Sequence, residues 1–222
     1  MRASGAVGVA ADAVADSAPV AEEVSADVER PLRKDAQRNR DLLLGAASSA
    51  FATHGVEYPL EDIAREAGVG IGTLYRHFPT RGALIEAVYR REVAQLCDSV
   101  DALLASSSPD EALEAWMYNF VAYIAAKRGM SAALRDMMAA EPDLFAVTRA
   151  HIHDAATKVL AAAVEVGAIR PVIEADDLIR AMGAVCMVTD DAGYSERAKT
   201  LVSLLLDGMR AGAPNRSTSA KA

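Results

Sequence analysis

Residues 60–84 read LEDIAREAGVGIGTLYRHFPTRGAL. Leu60, Ile63, Ala64 and Ala67 recur at i, i+3, i+4 and i+7, so they form one stripe of an α-helix, with Glu61, Asp62, Arg65 and Glu66 on the wet side. Gly68 ends that helix, because glycine adopts a left-handed backbone conformation without a Cβ penalty; Val69 then turns back as an apolar plug. A second short helix starts at once. Ile71, Leu74 and Phe78 give it one greasy side, and the other side carries Gly70, Gly72, Thr73, Tyr75, Arg76 and His77. Each glycine in a helix interior costs about 0.8–1 kcal/mol relative to alanine, so two of them make sense where something bulky must approach the backbone. Pro79 stops the helix, and Thr80 is placed to cap the next one, which begins with Arg81 and Gly82. Two helices, a glycine turn and a free outer face have the layout of a helix-turn-helix.

The longer string, with IAREAGVG, TLYRHF and a basic residue before AL, resembles the DNA-binding domain of the TetR family of bacterial transcriptional regulators. The resemblance runs from about Asp35, where Leu43, Ala47, Ala50 and Phe51 supply the buried face of a first helix closed by Gly55, to about Gln95. Beyond that, only the helical character and the length are similar to the family. The resemblance implies phosphate contacts from Tyr75 and His77. It also implies a phosphate grip from Arg81, which stands where the family usually has lysine, beside the free N–H groups of a helix start. Thr73 is placed to meet a base edge or a phosphate, and Arg76 to meet DNA or to form a salt bridge within the domain. Pro59 and Leu60 depart from the hydroxyl residue that many members carry before the second helix, and Gly82 departs from a frequent glutamate.

The net charge of −8 is unevenly spread. Residues 30–91 carry ten Lys/Arg against seven Asp/Glu, whereas residues 1–29 carry one against six and residues 92–222 twelve against eighteen. Positive charge is thus concentrated where phosphates would be met. Arg30, Arg33, Lys34, Arg38 and Arg40 form a basic cluster leading into the first helix, read either as a solvated face or as an arm on the backbone or minor groove. Residues 1–32 are expected to be a disordered tail ending at Pro31, and 213–222 a second one. Asp12 and Asp16 interrupt the apolar runs of the first tail, which does not read as a signal peptide. No stretch approaches the roughly 20 apolar residues of a membrane span, so a cytoplasmic protein is expected. Cys97 and Cys186 belong to no CxxC or Cys/His cluster, so neither a disulfide nor a metal site is suggested, and no cofactor motif is present. No Ser/His/Asp order, phosphate loop or HExxH run supports catalysis.

The 52% hydrophobic content with only 5% aromatic residues suggests helices packed through Ala, Leu and Val, and no useful β-type alternation occurs. The fold expected is all-α: a three-helix DNA-binding domain over 33–95, followed by a larger helical domain over 96–212. Helices are expected over Arg81–Ala105, Pro109–Lys127, Met130–Ala139, Pro142–Gly167, Ala175–Thr189 and Ser195–Ala211. The large apolar residues of this second domain read first as core. In the resembled family the domain encloses a small-molecule cavity, and adaptable methionines and aromatics make Trp116, Phe120, Tyr123, Met137, Phe145, Thr148, Ile152 and Met182 the lining candidates. His151 and His153 read as surface residues. The last two helices resemble the family's dimer interface through Leu178, Val185, Cys186, Leu201, Val202, Leu205 and Met209. Together the resemblance implies a homodimer that binds a palindromic double-stranded operator and is released by a small-molecule effector. The alternatives are a regulator with a solid core, answering to a protein partner or to nothing, and a helical enzyme or carrier with the head as scaffold.

Overall fold

The computed structural model describes residues 21–140, 142–187 and 194–214, with side chains from Lys34 onward except at 144, 187, 194 and 195. The described helices are α1 (Ala21–His54), α2 (Leu60–Glu66), α3 (Ile71–His77), α4 (Arg81–Ser106), α5 (Pro109–Gly129), α6 (Ser131–Ala140), α7 (Pro142–Glu165), α8 (Ala175–Met187) and α9 (Tyr194–Arg210). No strand occurs among the described residues. Expected and observed helix bounds differ by a few residues in the second domain. The larger difference is at α1, which begins at Ala21 and runs through Pro31, where the sequence suggests a break. Proline before a helical run is only a frequent boundary, and the residues flanking it here, AEEVSADVER and LRKDAQ, contain many good helix formers. Residues 1–20 and 215–222 of the expected tails, together with Thr189 and Gly193, lie outside the described residues. By internal contacts the chain divides into residues 1–38 and 39–222, the second unit holding the C-terminal part of α1 and all of α2 to α9.

Within this second unit, the end of α1 and the next three helices enclose a small core. Leu43, Leu44, Ala47 and Phe51 of α1 meet Leu60, Ile63 and Ala64 of α2, Leu74 of α3, Phe78, and Leu84, Ile85 and Val88 of α4, all buried. The exit from α2 explains how α3 is aimed. Gly68 sits at φ +69°; its N–H donates to the Arg65 carbonyl at 3.1 Å and the Val69 N–H to the Ala64 carbonyl at 3.0 Å, a Schellman closure. Val69, half-buried, is the plug that lets α3 start at Ile71. Thr80 caps α4 as expected, its Oγ1 accepting from the Ala83 N–H at 3.1 Å.

The second group of helices packs around α4, α5 and α7, with α5 also meeting α8 and α9. Ser108 and Glu111 form a complete capping box at the start of α5, with Pro109 as its first residue. Trp116, with no exposed surface, donates its indole N–H to the Leu96 carbonyl of α4 at 3.2 Å. Arg210 at the end of α9 binds both oxygens of Asp110, at 2.9 and 2.8 Å, and one of Glu114 at 2.8 Å, tying α9 to the start of α5. At the other end of α5, Gly129 lies flat against the last turn of α1: a Cβ there would stand 1.9 Å from the Phe51 carbonyl oxygen, 2.5 Å from its carbon and 3.0 Å from Ala52 Cα. Only glycine permits two backbones to approach so closely.

Candidate nucleic-acid interface and ligand cavity

α3 is held by its middle and its C-terminal end. Leu74 is fully buried, Phe78 nearly so, and the Phe78 N–H closes the helix on the Leu74 carbonyl at 2.8 Å. Arg40 of α1 lays its guanidinium over the Phe78 ring, 5.6 Å from the centroid, so this member of the basic cluster anchors α3. Ile71 is 37% exposed and does not join the greasy side expected of it. It is the first residue of a helix only seven residues long. Gly70, Gly72, Tyr75 and Arg76 are exposed, and Thr73 and His77 are half-buried. A Cβ added at Gly70 or Gly72 meets nothing within 4 Å, and neither residue has the left-handed backbone that favours glycine. The fold therefore requires glycine at neither position.

Arg81 is engaged within the protein by one of its nitrogens. Its Nη1 donates to the Tyr58 carbonyl at 2.7 Å and to the Val56 carbonyl, satisfying the loop between α1 and α2. Those carbonyls lie beyond the end of α1 and have no helical partner, which is why a half-buried guanidinium turns toward them. The same loop is closed by His54 stacked on Tyr58 at 4.7 Å, with the Tyr58 hydroxyl donating to Glu66 at 2.7 Å. Arg38 and Lys34 are exposed and belong to the first unit; the side chains of Arg30 and Arg33 lie outside the described residues.

In the second domain a cavity of about 230 Å³ is lined by Tyr89 of α4, Phe120, Tyr123, Ile124 and Lys127 of α5, Met138 of α6, Phe145, Arg149 and Ile152 of α7, and Ile179 and Gly183 of α8. The structure brings together four of the eight expected lining residues: Phe120, Tyr123, Phe145 and Ile152. It places the others elsewhere. Trp116 and Met182 are in the solid core, because the cavity lies along the C-terminal half of α5 and begins a full turn past Trp116. Thr148 is turned to Tyr89 and to the Phe145 carbonyl, at 3.3 and 3.2 Å, and Met138 rather than Met137 meets the space. Tyr89, Ile124, Lys127, Arg149, Ile179 and Gly183 are lining residues that the sequence did not single out. One signal was available: Lys127 continues the apolar stripe of Phe120, Tyr123 and Ile124 at helical spacing, a place where a solvated lysine is unexpected. Burial pushes the Tyr123 phenol well above its ordinary value, with Tyr89 adding to the effect.

The residues expected to meet a second copy divide into two sets. Leu178, Cys186, Val202 and Met209 are buried within the protomer, filling its own core from α8 and α9, so they offer no surface to a partner. Val185, Leu201 and Leu205 are half-buried, and between the last two Leu204 is 63% exposed. Helix geometry accounts for the difference: α9 has apolar residues on more of its circumference than one contact uses, and only the stripe at 201, 204 and 205 is turned outward. Burial, with Asp98 and Asp154 nearby, pushes the Cys97 thiol up to about 11, so it is an unreactive thiol. Among the described residues no group of three or more His, Cys, Asp or Glu side chains could hold a metal ion, and no helix is long and apolar enough to cross a membrane.

This arrangement has close counterparts. Residues 43–88 match the family of bacterial regulatory proteins of the tetR type, and residues 108–211 match the C-terminal domain of SbtR-like transcriptional regulators. The crystal structure of the TetR transcriptional regulator SCO0520 from Streptomyces coelicolor is 47% identical, with a TM-score of 0.72 over 77% of this chain and 98% of that one. The TetR transcription regulatory protein from Mycobacterium vanbaalenii is 35% identical, with a TM-score of 0.65 over 81% of this chain and 99% of that one. The HTH-type transcriptional regulator SAUSA300_2515 of Staphylococcus aureus is 41% identical over 63 residues, so the match spans 28% of this chain and 34%, about a third, of the length of that curated relative.

Proposed function

This chain belongs to the TetR family of transcriptional regulators, and on that footing we propose that it is a homodimeric repressor whose α3 reads a palindromic operator and whose cavity takes a small-molecule effector. Residues 33–95 are the DNA-binding head and 96–212 the effector and dimerisation domain. The observation that carries the reading is the face of α3: two glycines that the fold does not need stand beside an exposed Tyr75, on a helix held from behind by Leu74 and Phe78. In the major groove that face sets Gly70 and Gly72 where the duplex comes nearest. Thr73, Tyr75, Arg76 and His77 then meet bases and phosphates. Arg38 is a phosphate contact from the basic arm, and Arg81, which also fixes the loop before α2 through its Nη1, is a second one. The outward stripe of Leu201, Leu204 and Leu205 supports pairing of two copies, which would set two α3 helices about 34–36 Å apart for successive major grooves. An effector that binds better to a conformer with misplaced α3 helices lowers DNA affinity by its differential binding energy.

Selection of bound fragments from random DNA tests the reading directly; the expected product is an imperfect palindrome, and failure to enrich any sequence sinks it. Gly72→Ala separates fold from function. Alanine gains about 0.5–1 kcal/mol of helix stability, so the free protein melts higher while operator affinity drops, and a variant that melts higher with unchanged affinity removes Gly72 from the interface. Tyr75→Phe is expected to weaken all DNA sequences by about tenfold, the loss of one charged hydrogen bond of about 1.5 kcal/mol. Thr73→Ala is expected to change sequence preference if the hydroxyl meets a base edge; equal weakening of all sequences reassigns Thr73 to the backbone.

A further inference from the structure

The cavity between α4, α5, α6, α7 and α8 combines an apolar wall with two cations and no anion. Phe120, Tyr123, Ile124, Phe145, Ile152 and Ile179 supply the wall. Lys127 and Arg149 come from different helices, α5 and α7, and no Asp or Glu among the described residues lines the space with them. Lys127 is half-buried, its ammonium 5.9 Å from the centre of the Tyr123 ring. Burial first, and Arg149 second, push its pKa below the ordinary lysine value. Placing an ammonium here therefore costs free energy, and no carboxylate lining the cavity offsets that cost. Exposed Arg149 stands at the rim, where its planar fork is suited to both oxygens of a carboxylate.

We propose that the cavity binds a small organic monocarboxylate, its apolar body against Phe120, Phe145 and Ile152 and its carboxylate between Lys127 and Arg149. The inference deepens the effector reading and rests on it. An uncharged or cationic molecule of the same size would leave the two cations unpaired in a partly dry site, whereas the anion satisfies both. The charge pair thus selects the head group, and the aromatic wall tolerates differences in the body.

Calorimetric titration of the full-length protein with octanoate, 1-octanol and octylamine tests this, with operator affinity measured in parallel. Octanoate is expected to bind about tenfold tighter than octanol or better, and octylamine weakest. Lys127→Met, and separately Arg149→Met, should each reduce the octanoate to octanol ratio several-fold; the second variant serves if the first does not fold. Octanol binding as tightly as octanoate and still releasing DNA overturns the anion inference while the effector reading stands. Octanoate binding with the expected ratio but without effect on operator affinity supports the assignment of the ligand and removes the effector reading. No binding by any of the three overturns the monocarboxylate assignment.

Discussion

Gly129→Ala should lower the melting temperature by roughly 6–12 °C, the shift that about 3 kcal/mol produces in a chain of this size. The added methyl would stand 1.9 Å from the Phe51 carbonyl oxygen and 2.5 Å from its carbon. An ordinary contact needs about 1.5 Å more, and both neighbours are backbone, so no side-chain rotation relieves it. Overpacking of a rigid contact costs typically about 1–3 kcal/mol and occasionally more. The Phe51 carbonyl also accepts the Gly55 N–H that closes α1, at 3.0 Å, so yielding there loosens the helix end as well. The variant should also bind operator DNA more weakly than its residual folded fraction explains, because α1 carries the wall against which α3 is seated. A melting temperature within about 2 °C of the parent would mean that the two backbones can part without loss.

Trp116→Ala should cost about 3–5 kcal/mol, the range for deleting a fully buried large aromatic side chain. Trp116 has no exposed surface, packs at 5.7 Å on Phe120, and donates to the Leu96 carbonyl, so its removal leaves a void between α4 and α5 and takes away their indole hydrogen bond, while the Leu96 carbonyl keeps the Ser99 hydroxyl as a donor at 2.9 Å. Thermal unfolding measures the loss. The octanoate to octanol ratio measured on the folded variant should remain that of the parent, since Trp116 does not line the cavity. A changed ratio with little loss of stability would return Trp116 to the ligand wall.

How far the residues announced this structure depends on the kind of information each carries. The head was legible because its signals are local: the stripe Leu60, Ile63, Ala64, the positive φ of Gly68 and the cap at Thr80 each act within one or two turns. The occupation of Arg81 was not, because the carbonyls it meets are 23 and 25 residues away, in a loop with no periodicity. The helices of the second domain were legible for the same local reasons, yet the division of their apolar residues between core and cavity was not. Trp116 and Tyr123 lie on one helix and look alike in sequence. Only the position of α6, α7 and α8 against α5 makes one of them solid core and the other a wall. Leu178, Cys186, Val202 and Met209 show the same limit, since amphipathic spacing states that a face is covered but not by which neighbour.

The meeting of α1 and α5 bears on how a regulator of this design would answer the ligand proposed for its cavity. Lys127 and Gly129 belong to the same turn of α5, about 3 Å apart along the axis. The first faces the cavity and the second is seated on the backbone of the head. On the proposed effector reading, a movement of that turn on binding a guest would reach α1 directly, through the Gly129 contact with Phe51 and Ala52. A single residue, Arg128, separates the cavity wall at Lys127 from the backbone contact at Gly129.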